Sequence, residues 1–80
     1  MTPDIASKLL PLVRDHINNR SDVYYYGCFV GACDMLEKLG HITEAEYCFV
    51  TQMADTKPDT LFATLKEDSR EPQQETSHAG

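Results

Sequence analysis

Ser21 to Gly40 reads SDVYYYGCFVGACDMLEKLG, and no other stretch of the chain is as dense in apolar residues. Wound as an α-helix at about 100° per residue, it lines up Met35, Cys28, Leu39, Ala32, Tyr25, Leu36, Phe29, Cys33 and Tyr26 along one continuous arc. That arc covers well over half the cylinder, whereas a surface helix needs a stripe of roughly 100° or a little more. A helix this apolar is expected at the centre of its domain, with neighbours on most sides. Ser21 reads as its N-cap, Asp22 stands favourably against the positive end of the helix dipole, and Gly40 closes it as a C′ residue.

The flanking segments supply the neighbours. Upstream, Thr2-Pro3-Asp4 has the cap, early proline and early acid of a helix start. Ile5, Leu9, Val13 and Ile17 follow at i+4 spacing, which predicts an amphipathic helix over 3–18. Pro11 interrupts it and predicts a kink or a division into two helices in line. Asn18 and Asn19 end it, because asparagine tolerates the left-handed conformation that closes a last turn.

Downstream, Thr43-Glu44-Ala45-Glu46 is a capping box, and Ile42 and Tyr47 stand at the positions of a hydrophobic staple. A helix therefore starts at Glu44 and runs to about 54. Only Gly40 to Thr43 join it to the helix over 22–39, so the two must fold back on each other as an antiparallel hairpin. Thr56-Lys57-Pro58-Asp59 repeats the starting signals and predicts a short fourth helix over about 58–66, carrying Leu61, Phe62 and Leu65. The last 14 residues, 67–80, hold no aliphatic side chain larger than Ala79 and read as a disordered polar tail.

The fold expected is all-α, a small bundle of three main helices plus a short fourth in one domain over 1–66. Its core would draw on Ile5, Leu9, Val13, Ile17, Tyr25, Phe29, Ala32, Cys33, Leu36, Leu39, Ile42, Phe49 and Met53.

Composition narrows the function classes. Thirteen acidic against seven basic residues give 80 residues a net charge of −6. Affinity for nucleic acid comes from Lys and Arg displacing counterions from phosphates, so a nucleic-acid or anionic-membrane partner is disfavoured. No apolar run approaches the ~20 residues that cross a bilayer, and no basic start precedes a secretory apolar segment. A cytoplasmic protein with reduced thiols follows, its three cysteines packing as small hydrophobes.

Cys28, Cys33, His41 and Cys48 are of zinc-ligand type, yet Cys28 and Cys33 are five apart in one helix, not two to four apart on a turn. No oxyanion-hole turn or third catalytic group accompanies a Cys and His pair. The expectation is no metal, no cofactor and no enzymatic activity. A small helix-turn-helix transcriptional regulator is the alternative reading of helices joined by a glycine turn. Its recognition helix would begin Glu44-Ala45-Glu46-Tyr47-Cys48-Phe49-Val50, with two acids and no Arg or Lys.

One strip of the Ser21–Gly40 helix is anomalous. Gly27 and Gly31 each cost roughly 1 kcal/mol relative to alanine in a helix interior. They share the least apolar strip with Asp34 and Lys38, and Tyr24 lies beside them. A small-xxx-small groove admits another helix at close range, and tyrosine is a common interface anchor. Tyr24, Gly27, Gly31, Asp34 and Lys38 are therefore the candidate interface.

The segment Leu36-Glu37-Lys38-Leu39-Gly40-His41-Ile42-Thr43-Glu44-Ala45-Glu46-Tyr47 resembles small, mostly uncharacterised reading frames of bacteriophages, prophages and plasmids. That resemblance implies an accessory protein that binds and modulates a host protein, such as a defence component or a transcription factor. Charge points the same way, since an acidic module meets a basic surface quickly. A partner with a basic surface is expected, with a homodimer as the further form of association.

Overall fold

A computed structural model of the chain describes residues 1–70, and four helices account for nearly all of them. They are α1 Pro3–Asn18, α2 Val23–Lys38, α3 Glu44–Thr56 and α4 Pro58–Asp68. No strand occurs among the described residues.

Local chemistry explains each boundary. The Ile5 amide donates to Thr2 Oγ1 at 3.3 Å, with Pro3 in the first turn, which starts α1. α2 is capped by Asp22 rather than Ser21: Asp22 Oδ1 accepts from the Tyr24 amide at 3.0 Å, one residue later than expected. At the other end the Gly40 amide reaches the Glu37 carbonyl and the His41 amide the Leu36 carbonyl, at 3.0 and 2.8 Å. These are the two bonds of a Schellman motif, and they require the φ of +81° that Gly40 adopts. The capping box of α3 is complete, Glu46 amide to Thr43 Oγ1 at 3.0 Å and Thr43 amide to Glu46 Oε1 at 2.9 Å.

Several boundaries differ from expectation. Pro11 does not divide α1, which runs through it as one helix. The carbonyl it deprives of a donor belongs to Ser7, and both Ser7 and Pro11 are exposed, on the side of the helix where a lost bond costs least. The asparagines do not end α1 through a left-handed residue: Asn19 has φ −133°, and its Nδ2 donates to the Asp15 carbonyl at 2.8 Å instead. Thr56 does not cap α4, because it belongs to α3 and its hydroxyl donates to the Gln52 carbonyl. α4 continues through Glu67 and Asp68, both assigned to the tail by composition. The remainder of that predicted tail, 71–80, lies outside the described residues.

The helices form a ring in chain order, α1 packing on α2 and α4, and α3 packing on the same two. Cross-links fix their directions. Met1 meets Glu46 in the first turn of α3, His16 meets Ala54 in its last, and Tyr26 meets Thr51. Arg20, just past α1, reaches Asp59 at the start of α4 at 2.6 Å. Neighbouring helices are thus antiparallel, an up-down-up-down bundle.

α2 is not the central helix. α1 packs most extensively, and on α4, with Ile5, Ala6, Leu9 and Val13 buried against Leu61 and Leu65 in one cluster. α2 buries only Phe29 and Cys33 completely. Burying a side chain such as Phe29 is worth about 1.5–3 kcal/mol, so two such residues hold α2 without enclosing it. Of the expected core, Ile5, Leu9, Val13, Phe29, Cys33 and Ile42 are buried, and Ile17, Ala32, Leu36 and Met53 pack at its margin. Tyr25 is half-buried. Leu39 and Phe49 are corrections, being exposed by 63% and 50%. α3 turns the line Val50 and Ala54 inward, because it has to face α2 and α4 at once, and Phe49 lies about 100° away from Val50.

Candidate interaction surface

The outer face of α2 carries the strip of candidate residues. Gly27 and Gly31 are exposed, and a Cβ built on either would meet no atom within 4 Å. Among the described residues nothing packs over either glycine. Tyr24 stands beside them, 66% exposed, its ring edge-on to Tyr25 with centroids 5.2 Å apart. Lower on the same face, Lys38 Nζ pairs with Asp34 Oδ2 at 2.9 Å, and that bond holds the ammonium above the ordinary lysine pKa. All five residues therefore share one face, with Asp34 at its half-buried edge.

Two residues that sequence reasoning assigned to the packed arc join them. Met35 is 57% exposed, and Leu39 flanks the same side. With Val23 at the helix start, 82% exposed, α2 and its C-cap Leu39 keep four large apolar side chains in solvent. Spacing could have found them: Tyr24, Cys28, Gly31, Met35 and Lys38 follow alternating steps of four and three, the period of a helix-packing seam.

Elsewhere the surface offers less. A slot of about 200 Å³ lies between α3 and α4, floored by Val50, Leu61 and Leu65 with Phe49 on its wall. Glu46 closes one end of it by accepting from the Met1 ammonium. That bond first, and the Thr43 amide second, hold the Glu46 carboxyl below the usual carboxylate range. Among the described residues no three His, Cys, Asp or Glu side chains converge as a metal site would need. Cys33 is buried, which pushes its thiol up to about 12, while Cys28 is half-buried and Cys48 exposed.

No protein-family model, curated protein or solved structure matches the chain. The chemistry of its surfaces is accordingly the ground for assigning a role. No described helix is long and apolar enough to cross a membrane. The charged residues divide unevenly over the faces. Acid outweighs base among the exposed residues of α3 (Glu44 and Asp55) and α4 (Asp59, Glu67 and Asp68 against Lys66), whereas on α1 Lys8 and Arg14 balance Asp4 and Asp15, and the α2 strip holds one acid and one base, paired with each other.

Proposed function

We propose that the chain is a small acidic protein-binding module, of the accessory kind that phages and mobile elements carry, which modulates a host protein by occupying one of its surfaces. One observation carries the reading: four large apolar side chains, Val23, Tyr24 and Met35 on α2 and Leu39 at its C-cap, stay in solvent near two glycines that are open to solvent. A small domain gains from covering such a face, since stability is marginal at this size and association adds to it. The acidic residues of α3 and α4 supply a second requirement, attraction toward a basic partner.

The test is affinity capture from host lysate with the wild-type chain beside a Tyr24→Ser, Met35→Ser, Leu39→Ser variant, each checked for helical content. A partner held by the wild type and lost by the variant supports the reading. Equal recovery by both would remove the α2 face from it. Recovery that falls as salt is raised supports the electrostatic part.

A further inference from the structure

We propose that the slot between α3 and α4 takes one arginine side chain of the basic partner, its guanidinium on the Asp68 carboxylate and against the ring of Phe49. The inference rests on the partner of the preceding reading being basic, and it names where one of that partner's bases is held.

The lining carries one polar group that still lacks a partner. Glu46 accepts from the Met1 ammonium and from the Thr43 amide. The Thr64 hydroxyl donates to the Thr60 carbonyl of its own helix at 3.0 Å. Asp68 remains. It is exposed in the last turn of α4, and among the described residues no base pairs with it. Arg70 nearby is taken by Glu67 at 3.3 Å, and Lys66 stands about 200° away around the helix. An acid at that end of a helix also opposes the dipole, so α4 itself gains nothing from Asp68.

Acids elsewhere are differently placed. Asp4, Asp34 and Asp59 are each paired with a base. Glu44 and Asp55 lie on the side of α3 away from Glu46. The outer face of α2 has no carboxylate to offer, because its Asp34 is already held by Lys38 at 2.9 Å. At the slot, an unpaired acid and apolar walls meet.

Size and shape select the occupant. About 200 Å³ is below the roughly 300–1,000 Å³ of sites that enclose free small molecules, so the slot suits a single side chain. Val50, Leu61 and Leu65 on its floor are already buried, which makes it narrow, and Phe49, 50% exposed, is its accessible wall. A lysine ammonium is a compact, strongly hydrated charge, and an apolar cleft removes its water without replacing it. A guanidinium is planar and more weakly hydrated, stacks on an aromatic face, and meets a carboxylate through two parallel N–H bonds. The arginine stem then lies along the apolar lining.

The test is a titration of the isotope-labelled full chain with acetyl-arginine amide and, in parallel, acetyl-lysine amide, followed by the NMR shifts of the backbone amides. The arginine probe is expected to move Phe49, Thr64, Leu65 and Asp68 and to leave Tyr24, Gly27 and Met35 in place. The lysine probe binds roughly threefold more weakly. Asp68→Asn, an exposed change that keeps the side chain's shape, lowers arginine affinity about fivefold with helical content unchanged. Phe49→Leu lowers it about threefold. Equal affinity for the two probes, shifts spread over every acidic residue alike, or full affinity in Asp68→Asn overturns the proposal. Arginine binding at the slot by a chain that captures no partner would leave this site standing and remove the function proposed above. A captured partner with no arginine response at the slot would do the reverse.

Discussion

His16 Nε2 donates to the Ala54 carbonyl oxygen at 2.9 Å, joining the last turn of α1 to the last turn of α3. Ala54 needs this donor from outside its helix. The residue four ahead, which would ordinarily supply an amide, is Pro58, and proline has none. Because a carbonyl only accepts, Nε2 carries a proton in this bond, and buried Nδ1 has no partner. The ring lies 5.4 Å from that of Tyr26, whose hydroxyl bonds the Thr51 carbonyl, so one histidine ties three helices.

His16→Leu keeps the apolar contact and strands the buried Ala54 carbonyl, a loss of about 1–3 kcal/mol. His16→Gln, which can still present an N–H, should lose less than half of that. Urea unfolding followed by circular dichroism at neutral pH measures both, and equal loss in the two variants would mean that the ring's packing matters and its hydrogen bond does not.

Glu46 makes stability depend on pH in a predictable direction. Its folded pKa is lowered, chiefly by the Met1 ammonium and then by the Thr43 amide. A lowered folded value means that the unfolded state binds the proton more readily. The contribution is therefore fully present above the unfolded glutamate pKa of about 4.3 and is lost as pH falls through the lower folded value. Unfolding midpoints of wild type and Glu46→Gln should differ at pH 7 and converge in acid.

The three thiols should separate by rate. Exposed Cys48 reacts first with an aromatic disulfide reagent at pH 8, and half-buried Cys28 follows. Cys33, buried and with its thiol pushed up to about 12, reacts only as fast as the bundle opens. Fast labelling of Cys33 in a folded sample would contradict the burial that anchors α2.

Signals that act over a few residues were legible in the sequence. The capping box at Thr43, the glycine stop at Gly40 and the proline start of α1 are closed by bonds within a turn, so composition at three or four positions determines them. Placement of α2 was not legible, because apolar content tells how much surface could be buried and not what is available to bury it. α4 looks minor in sequence, yet Leu61 and Leu65 are fully covered in the cluster with α1. That packing makes α1 the shared wall and moves α2 outward. Phe49 and Val50 are equally apolar neighbours, and only the double contact of α3 with α2 and α4 selects Val50. The wheel places Tyr24, Gly27, Gly31, Asp34 and Lys38 on one face, whereas it assigns Met35 and Leu39 to the core, because apolar residues on an apolar helix look like core.

This change of register has its own test. Leu61→Ala should cost about 2–5 kcal/mol, as expected for a large-to-small change in a closed core. Phe49→Ala removes a larger side chain yet should cost well under half as much, because half of it is in water. Denaturant midpoints in the reverse order would return Phe49 to the core.

The glycines of α2 separate stability from association. Gly27 and Gly31 lie in a helix, without positive φ, and a methyl group on either meets nothing within 4 Å. Alanine at each should stabilise the monomer by about 0.5–1 kcal/mol, through helix propensity and a less free unfolded chain. Gly40→Ala does the opposite, since its φ of +81° strains any L side chain, at a cost of about 1–2 kcal/mol. On the docking face proposed above, close approach of a partner backbone would give two unstrained glycines that each weaken the fold a reason to be there. Gly27→Ala, Gly31→Ala should therefore unfold at higher urea than the wild type while associating less. Greater stability with unchanged association would leave the two glycines as plain surface positions.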